Sequence, residues 1–245
     1  MLAISTKPTA IRVARMLETS GIRSALIIAP HGDDEVLGAG GLIAKLTQAG
    51  ATVRVLFLAV DASSHYGLSR PTTLEERLQE LRVASHLMGY EYQVAYSGMG
   101  MLERLDTLPQ RELVDLFERE LDSLRPDLLL LPEGRDYDQD HRACFQAGLA
   151  ATRPIPENTN KHLAKKIITY EMPKLVWAAA FQPQLYWEIT STIDLKIDAI
   201  GAYRTQLRDS PHVRSLQNIR NLAQLRGSEI GVNYAEAFGV LRWIP

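Results

Sequence analysis

Short apolar runs alternate with longer amphipathic segments along this chain, and this alternation constrains the fold more than any other feature. The clearest runs are Ser24 to Ala29, Thr52 to Val60 and Asp127 to Leu131, each rich in aliphatic residues. Runs of this kind are typical of strands that are buried on both faces of a parallel sheet. Segments with apolar residues at helical spacing lie between them, at Leu74 to Met88 and Pro109 to Leu124. The alternation predicts a doubly wound α/β fold.

The two ends of the chain carry weaker patterns. Strands are predicted at Lys166 to Glu171 and Leu185 to Ile189, and the chain is predicted to be helical from about Thr192. The first twenty residues lack the uninterrupted apolar core of a signal peptide, and they are predicted to form an amphipathic helix. Because no repeat, low-complexity tract or linker is visible, residues 1–245 are predicted to form a single domain.

The composition argues against several classes of protein. Hydrophobic residues make up 46% of the chain and charged residues 23%, and the formal net charge is -2. These values give no reason to expect a nucleic acid or an anionic membrane as partner. No apolar stretch reaches the length of a membrane span, so stable membrane insertion is not expected. Cys144 is the only cysteine, which excludes an internal disulfide and a zinc site of several thiolates and favours a cytoplasmic location.

Two loops rich in possible metal ligands follow predicted strands. The first contains His31, Asp33, Asp34 and Glu35, and the second runs from Gly134 to His141. In doubly wound sheets the ligand sites lie in loops at the carboxyl ends of the strands, so we expect both loops to converge on one cleft.

The two loops together offer a donor set that suits a catalytic zinc ion. Such an ion usually has three protein ligands of imidazole nitrogen and carboxylate oxygen, and it keeps one position open for water. His31, Asp34 and His141 would supply two imidazoles and one carboxylate, and Asp33 would remain as the general base that deprotonates the water. Iron(II) accepts the same set, so Fe²⁺ is an alternative to Zn²⁺.

Simpler roles exist for the acidic residues of both loops. Carboxylates are favoured at helix N-termini, so Asp33, Asp34 and Glu35 could be a capping cluster beside an incidental His31. The aspartates of the second loop could likewise be turn residues and a cap. A histidine and aspartates at each of two strand ends nevertheless favour a metal site. The glycines of Gly38 to Gly41 lack the spacing of a dinucleotide fingerprint, and close packing of a helix on the sheet explains them better.

Both loops resemble hallmarks of the PIG-L (LmbE-like) zinc-dependent de-N-acetylases. Ala29 to Glu35 is A-P-H-G-D-D-E where the family has A-H-P-D-D-E, and Asp138 to His141 is D-Q-D-H where the family has H-x-D-H. Further similar segments are the R-x-x-E of Arg77 and Glu80, the segment from Lys196 to Gln206, and the A-E-A-F of Ala235 to Phe238.

The resemblance implies a fold, an activity and a site. The fold would be a Rossmann-like three-layer sandwich with a mostly parallel sheet flanked by helices. The activity would be hydrolysis of an N-acetyl group from an amino sugar or a related small molecule. Zinc would be held by His31, Asp34 and His141, with Asp33 as base. Arg77 matches a position where relatives contact substrate, although a structural ion pair is the alternative for an arginine on a helix.

Asp138 is the important departure, because the family usually has histidine there, proposed to stabilise the oxyanion or to protonate the leaving nitrogen. An ionised aspartate cannot donate a hydrogen bond to an oxyanion. Crowded carboxylates could keep Asp138 protonated and catalytic, or Asp33 could return the proton to nitrogen. The third alternative is that Tyr137 or His65 takes the role. Together with Glu35, Arg77 and Asp140, these last two residues are expected to contact substrate or to support the ligands.

Other functions also fit the sequence. A zinc-binding module without catalysis, an amidase acting on a non-acetyl amide such as a thiol conjugate, and a nucleotide-dependent transferase are the alternatives. The expected partner is a small N-acetylated molecule, and association into a homo-oligomer is left open. The loops Ala62 to Thr73 and Arg153 to Lys166 are where substrate specificity is expected.

Overall fold

The computed structural model describes residues 21–64, 70–156, 159–173 and 180–245, and within these ranges six α-helices flank a seven-stranded sheet. In chain order the elements are β1 (Ser24–His31), α1 (Asp34–Gln48), β2 (Thr52–Val60), α2 (Leu74–Met88), β3 (Glu91–Ser97), α3 (Gln110–Leu124), β4 (Leu128–Pro132), α4 (Gln139–Ala151), β5 (Lys166–Tyr170), β6 (Leu185–Glu188), α5 (Ile193–Ala202), α6 (Leu216–Ser228) and β7 (Ala235–Trp243). A short 3-10 helix, Leu105–Thr107, precedes α3.

The sheet order is β3-β2-β1-β4-β5-β7-β6. The first five strands of this order are parallel to one another, and β7 is antiparallel to both β5 and β6. The mostly parallel α/β sandwich predicted from the sequence is therefore confirmed. The chain builds outward from β1 to β3, then returns to place β4 on the other side of β1. Ligands of doubly wound folds bind at such a reversal, beyond the carboxyl ends of the two strands.

The apolar runs form strands because both of their faces are covered. Side chains alternate between the faces along a strand, so neighbouring residues enter different cores. Ile27 and Leu130 belong to the core beneath α1, whereas Leu26 and Leu129 belong to the opposite core, which contains Phe117 of α3. All five side chains are almost fully buried. Both faces of the sheet are thus covered, and the loops at its carboxyl edge are left to form a ligand site.

Two strands differ from the sequence-based expectation. β3 was not predicted because it is an edge strand of mixed polarity, with exposed Glu91 and Gln93. The prediction that the chain is helical from Thr192 is right for α5 and α6 and wrong for β7. Alanine and glutamate in Ala235–Phe238 carry little strand propensity, and pairing with β5 and β6 overrides it. The helix predicted in the first twenty residues lies outside the described residues.

The glycine-rich part of α1 lies directly on the sheet. A Cβ atom on Gly38 would lie 2.3 Å from the Tyr170 ring, and one on Gly41 would lie 2.6 Å from Ile189. Close packing therefore accounts for these glycines, as expected from the sequence. The described helices have at most fifteen residues, and none of them combines the length and apolarity that a bilayer span requires.

Candidate metal centre

The first loop of the centre is a tight turn between β1 and α1. The Asp34 Oδ2 accepts a hydrogen bond from the His31 backbone N–H at 2.9 Å, so the two side chains are brought to the same side. Asp33 between them has φ 117° and ψ -23°, a conformation that non-glycine residues rarely adopt. The turn is held by the Arg77 Nη2, which donates to the Gly32 carbonyl at 2.8 Å, and by Glu35, which accepts from the Asp33 N–H at 3.2 Å.

The second loop lies between β4 and α4. Asp138 is the N-cap of α4, and its Oδ1 accepts from the Asp140 N–H at 3.0 Å. Asp136 Oδ1 accepts from the Asp138 N–H at 3.0 Å. The simpler role of capping is thus correct for Asp138. In contrast, Asp33 stands at the N-cap position of α1 without a capping hydrogen bond from its side chain.

Two imidazoles converge on one carboxylate oxygen at the centre. The His31 Nδ1 lies 3.4 Å and the His141 Nε2 lies 3.2 Å from the same Asp34 Oδ2. The ring centroids are 5.5 Å apart, and Asp34 and His141 are buried. Two imidazole nitrogens and a carboxylate oxygen aimed at one point form a donor set that suits Zn²⁺ or Fe²⁺.

A second pair of carboxylates orients the two rings from behind. The His31 Nε2 lies 2.9 Å from Asp140 Oδ2, and the His141 Nδ1 lies 3.0 Å from Asp136 Oδ2. Carboxylates in this position fix which ring nitrogen carries the proton, and they make the other nitrogen a better ligand. Here that leaves His31 Nδ1 and His141 Nε2 to face Asp34.

The local charges agree with this arrangement. Burial alone would lower the pKa of His31, but its hydrogen bonds to Asp140 and Asp34 raise that pKa to about 10. Burial would raise the pKa of Asp34, yet His141 and His31 hold it well below its usual range. The carboxylates around His31 therefore stabilise positive charge in a buried position, and a metal cation bound there would take the place of the proton on His31 Nδ1.

Asp138 also belongs to this cluster. One ligand atom from each of His31, Asp138 and His141 lies within 4.8 Å of the other two. Two carboxylates thus lie beside the imidazole pair, a buried one from the first loop and a half-buried one from the second.

Asp33 lies beside the donor set, on the wall of the cleft. Its side chain is buried, and its Oδ2 accepts a hydrogen bond from the Arg214 Nη1 at 3.4 Å. Burial raises the pKa of Asp33, although the Arg214 charge opposes this effect. The cleft is lined by His31, Gly32, Asp33, Asp34, Ser63, Arg77, Leu102, Glu103, Tyr137, Asp138, His141, Gln206 and Arg214.

Glu35 supports the first loop from the interior. Its Oε1 accepts hydrogen bonds from the Tyr90 hydroxyl at 2.8 Å and the Tyr203 hydroxyl at 2.5 Å. Burial raises the pKa of Glu35 to about 7, although the two tyrosine hydrogen bonds lower it. Because its other oxygen accepts from the Asp33 N–H, the Glu35 carboxylate ties the loop to the core.

Arg77 lines the cleft, but most of its N–H donors already form hydrogen bonds to protein groups. It binds Glu80 Oε2 at 2.7 Å, Thr205 Oγ1 at 3.2 Å and the Gly32 carbonyl. These bonds agree with the structural ion pair that was the alternative at this position. Tyr137, in contrast, lies at the mouth of the cleft with 62% of its surface exposed.

The remaining residues noted in the sequence have other outcomes. His65 lies outside the described residues. Cys144 is fully buried, and burial raises the pKa of its thiol well above the usual value, in keeping with a packing role. Sequence reasoning missed two residues. Asp136 was assigned only to a turn, and no motif marked Arg214, which meets Asp33 across 181 positions of the chain.

Comparisons with known proteins show a family and a fold that this chain shares. Residues 26–152 match the family model of PIG-L, described as GlcNAc-PI de-N-acetylase. The diacetylchitobiose deacetylase of Thermococcus kodakarensis is 24% identical over 91% of this chain and 84% of its own length. The conserved protein TT1542 from Thermus thermophilus superposes with a TM-score of 0.71 at 25% identity, covering 91% of this chain and 96% of that one.

The same fold also carries a different chemistry. The 4-carboxy-2-hydroxymuconate hydratase GalB from Pseudomonas putida superposes with a TM-score of 0.72 at 19% identity, covering 91% of this chain and 97% of that one. Identity this low shows the fold alone, so the function must be argued from the site.

Proposed function

Because this chain belongs to the PIG-L family, we propose that it is a metal-dependent hydrolase that removes an N-acetyl group from an amino sugar or a related small molecule. One observation carries the proposal: His31 Nδ1 and His141 Nε2 converge on Asp34 Oδ2, and each ring is held from behind by a carboxylate. The similarity to a deacetylase over most of the chain supports the reaction class.

The residues present fit a divalent cation. His31, Asp34 and His141 would hold it, with Asp138 beside them, and Zn²⁺ or Fe²⁺ would suit this set. When bound, the cation supplies Lewis-acid chemistry, because it polarises an amide carbonyl and lowers the pKa of water.

Asp33 is the general base in this proposal. Its carboxylate faces the cleft beside the donor set, and its only described side-chain partner is Arg214. Asp33 takes a proton from the attacking water as the new C–O bond forms. It then gives that proton to the amide nitrogen as the C–N bond breaks, so the products are acetate and a free amine.

We assign Asp138 a ligand role rather than the catalytic role predicted from the sequence. Its Oδ1 already accepts the Asp140 N–H, so the residue is fixed at the start of α4. From there it offers a ligand atom beside His31 and His141. A carboxylate in this place adds negative charge next to the cation, and it cannot donate to an oxyanion while ionised.

Acetate release from a panel of N-acetylated amino sugars tests the proposal. The protein is stripped of metal and reloaded with Zn²⁺ or Fe²⁺, beside an Asp33→Asn variant that keeps the side-chain volume. We expect metal-dependent release, with kcat lower by about 100- to 10,000-fold in the variant at unchanged metal stoichiometry, the range typical of a lost general base.

The competing functions give different results. Release of an acid other than acetate from a thiol conjugate would establish the amidase. Stoichiometric metal binding without hydrolysis of any amide would favour the non-catalytic module. A protein that binds no divalent cation would contradict the proposed chemistry altogether.

A further inference from the structure

Arg214 brings a guanidinium to the cleft from the segment between α5 and α6. Its Nη1 lies 3.4 Å from Asp33 Oδ2, a long hydrogen bond, and 32% of the side chain is exposed. Within the described part of the chain, Asp33 is the only group that the Arg214 side chain binds. A guanidinium has five N–H donors, so most of those on Arg214 are available to a ligand in the cleft.

Arg208 places a second guanidinium near the first. Its Nη1 donates to the backbone carbonyls of Leu207 at 2.9 Å and Thr205 at 3.5 Å, and no described carboxylate lies in ion-pair contact with it. The side chain is half-buried, and burial together with the charge of Arg214 lowers the pKa of Arg208. Arg208 is not among the residues that line the cleft, so it adds positive charge near Arg214 rather than a second contact with a ligand.

Two other arginines of this structure form close ion pairs with carboxylates. Arg77, in the same cleft, is paired with Glu80 at 2.7 Å. Arg226 on α6 binds both oxygens of Glu171, at 2.8 and 2.5 Å. Arg208 and Arg214 lack such partners, although each loses part of its hydration. An anionic group of a ligand in the cleft would be such a partner for Arg214, because guanidinium binds carboxylate and phosphate through paired hydrogen bonds.

We propose that Arg214 forms an anion-binding subsite beside Asp33, supported by the nearby charge of Arg208, and that the substrate is an N-acyl compound carrying a carboxylate or a phosphate close to the scissile amide. The assignment of the amide rests on the proposed function, whereas the anion subsite does not. In this arrangement Asp34 and Asp138, after β1 and β4, attract the cation, and Arg214, from the segment between α5 and α6, attracts the anion.

Binding of amine products to the zinc-loaded full chain tests the subsite without turnover. Calorimetric titration would compare glucosamine, glucosamine 1-phosphate and muramic acid, which carry no anion, a phosphate and a carboxylate, the two anions being on positions that adjoin the amine-bearing carbon. We expect at least one of the two anionic ligands to bind at least about 10-fold more tightly than glucosamine, as for charge-assisted hydrogen bonds. The tighter anionic ligand identifies the group that the subsite takes.

Variants assign that preference to Arg214. Arg214→Gln should remove most of the anionic preference and leave glucosamine binding unchanged, Arg214→Lys should retain part of it, and Arg208→Gln should reduce it less than Arg214→Gln does. Arg220→Gln is the matched control, because Arg220 on α6 is also 32% exposed and paired with one aspartate, Asp194. This control should keep the full preference. Thermal melts check that each variant is folded.

The outcomes separate this inference from the proposed function. Equal binding of neutral and anionic ligands, or a loss of glucosamine binding in Arg214→Gln equal to the loss for the anions, would overturn the subsite. Selective anion binding without acetate release from any N-acetylated form would support the subsite and count against the hydrolase. Acetate release that is equally efficient for neutral and anionic substrates would support the hydrolase and count against the subsite.

Discussion

The ammonium of Lys196 lies 2.7 Å from Glu236 Oε1 in the protein interior, and the two side chains together close a break in the helix that begins with Asp34. The break is at Ala39, which has φ -143° and ψ 18° within α1. Lys196 Nζ donates to the Leu37 carbonyl at 2.9 Å on one side of the break. The buried ion pair thus takes up backbone groups that a regular helix would have paired.

Glu236 binds backbone groups on the other side of the same break. Its two oxygens accept hydrogen bonds from the Gly41 and Leu42 N–H groups at 2.7 and 2.8 Å. The segments that resemble family motifs around Lys196 and Glu236 therefore position the helix that carries Asp34, a proposed metal ligand. We predict that Glu236→Leu lowers the free energy of unfolding by about 3–5 kcal/mol, because it leaves a buried ammonium and two N–H groups unpaired. Urea denaturation measures this loss.

A double variant checks the cause of that loss. Adding Lys196→Met to Glu236→Leu removes the uncompensated charge, so part of the stability should return. A single variant that loses less than about 1 kcal/mol would mean that the break in α1 does not depend on the ion pair.

Asp136 is expected to matter for metal affinity although it does not face the site of the cation. Its Oδ2 lies 3.0 Å from His141 Nδ1, so it orients the ring whose other nitrogen is the proposed ligand. Asp136→Asn should weaken zinc affinity by about 10- to 100-fold, as is typical when a carboxylate behind a ligating histidine is lost. Competition with a fluorescent chelator measures the affinity.

Asp115→Asn on the exposed side of α3 is the matched control and should leave the affinity unchanged. If the Asp136 variant also binds zinc as tightly as the native chain, the histidine does not depend on this carboxylate.

Tyr137 is expected to contribute to substrate binding rather than to stability. It is 62% exposed at the mouth of the cleft, where an aromatic ring can stack on the apolar face of a sugar. Tyr137→Ala should raise KM by about 3- to 10-fold, whereas Tyr137→Phe should keep it, because a stacked ring contributes about 0.5–1.5 kcal/mol. Steady-state kinetics measures KM, and a fall in kcat equal for both variants would point to the hydroxyl instead.

The parts of the fold that were predictable are those whose signal is local. β1, β2 and β4 are continuous apolar runs because both faces are covered, and the loops after β1 and β4 were recognised from their adjacent histidines and aspartates. β3 and β7 were missed because edge exposure and pairing decide them, not composition.

The parts of the site that were missed depend on contacts between distant segments. Asp136 and Asp140 have the same residue type and the same spacing from Asp138, and only the fold shows that one supports His141 and the other supports His31. Arg214 follows no motif, and its contact with Asp33 joins positions that are far apart in the chain. The role of each of these side chains therefore depends on which distant segment the fold places beside it.

The roles proposed for Asp138 from the sequence and from the structure can be separated by Asp138→Asn. Asparagine caps a helix about as well as aspartate, so the start of α4 and the stability of the fold should be retained. If Asp138 is a ligand, the loss of its charge beside His31 and His141 should weaken zinc affinity by at least about 10-fold, as for other losses from a metal site. If it is instead the catalytic acid, zinc affinity should stay within about 2-fold and kcat should fall by about 100-fold or more. Chelator competition and acetate release, measured on the same preparation, decide between a fourth protein ligand and a proton donor.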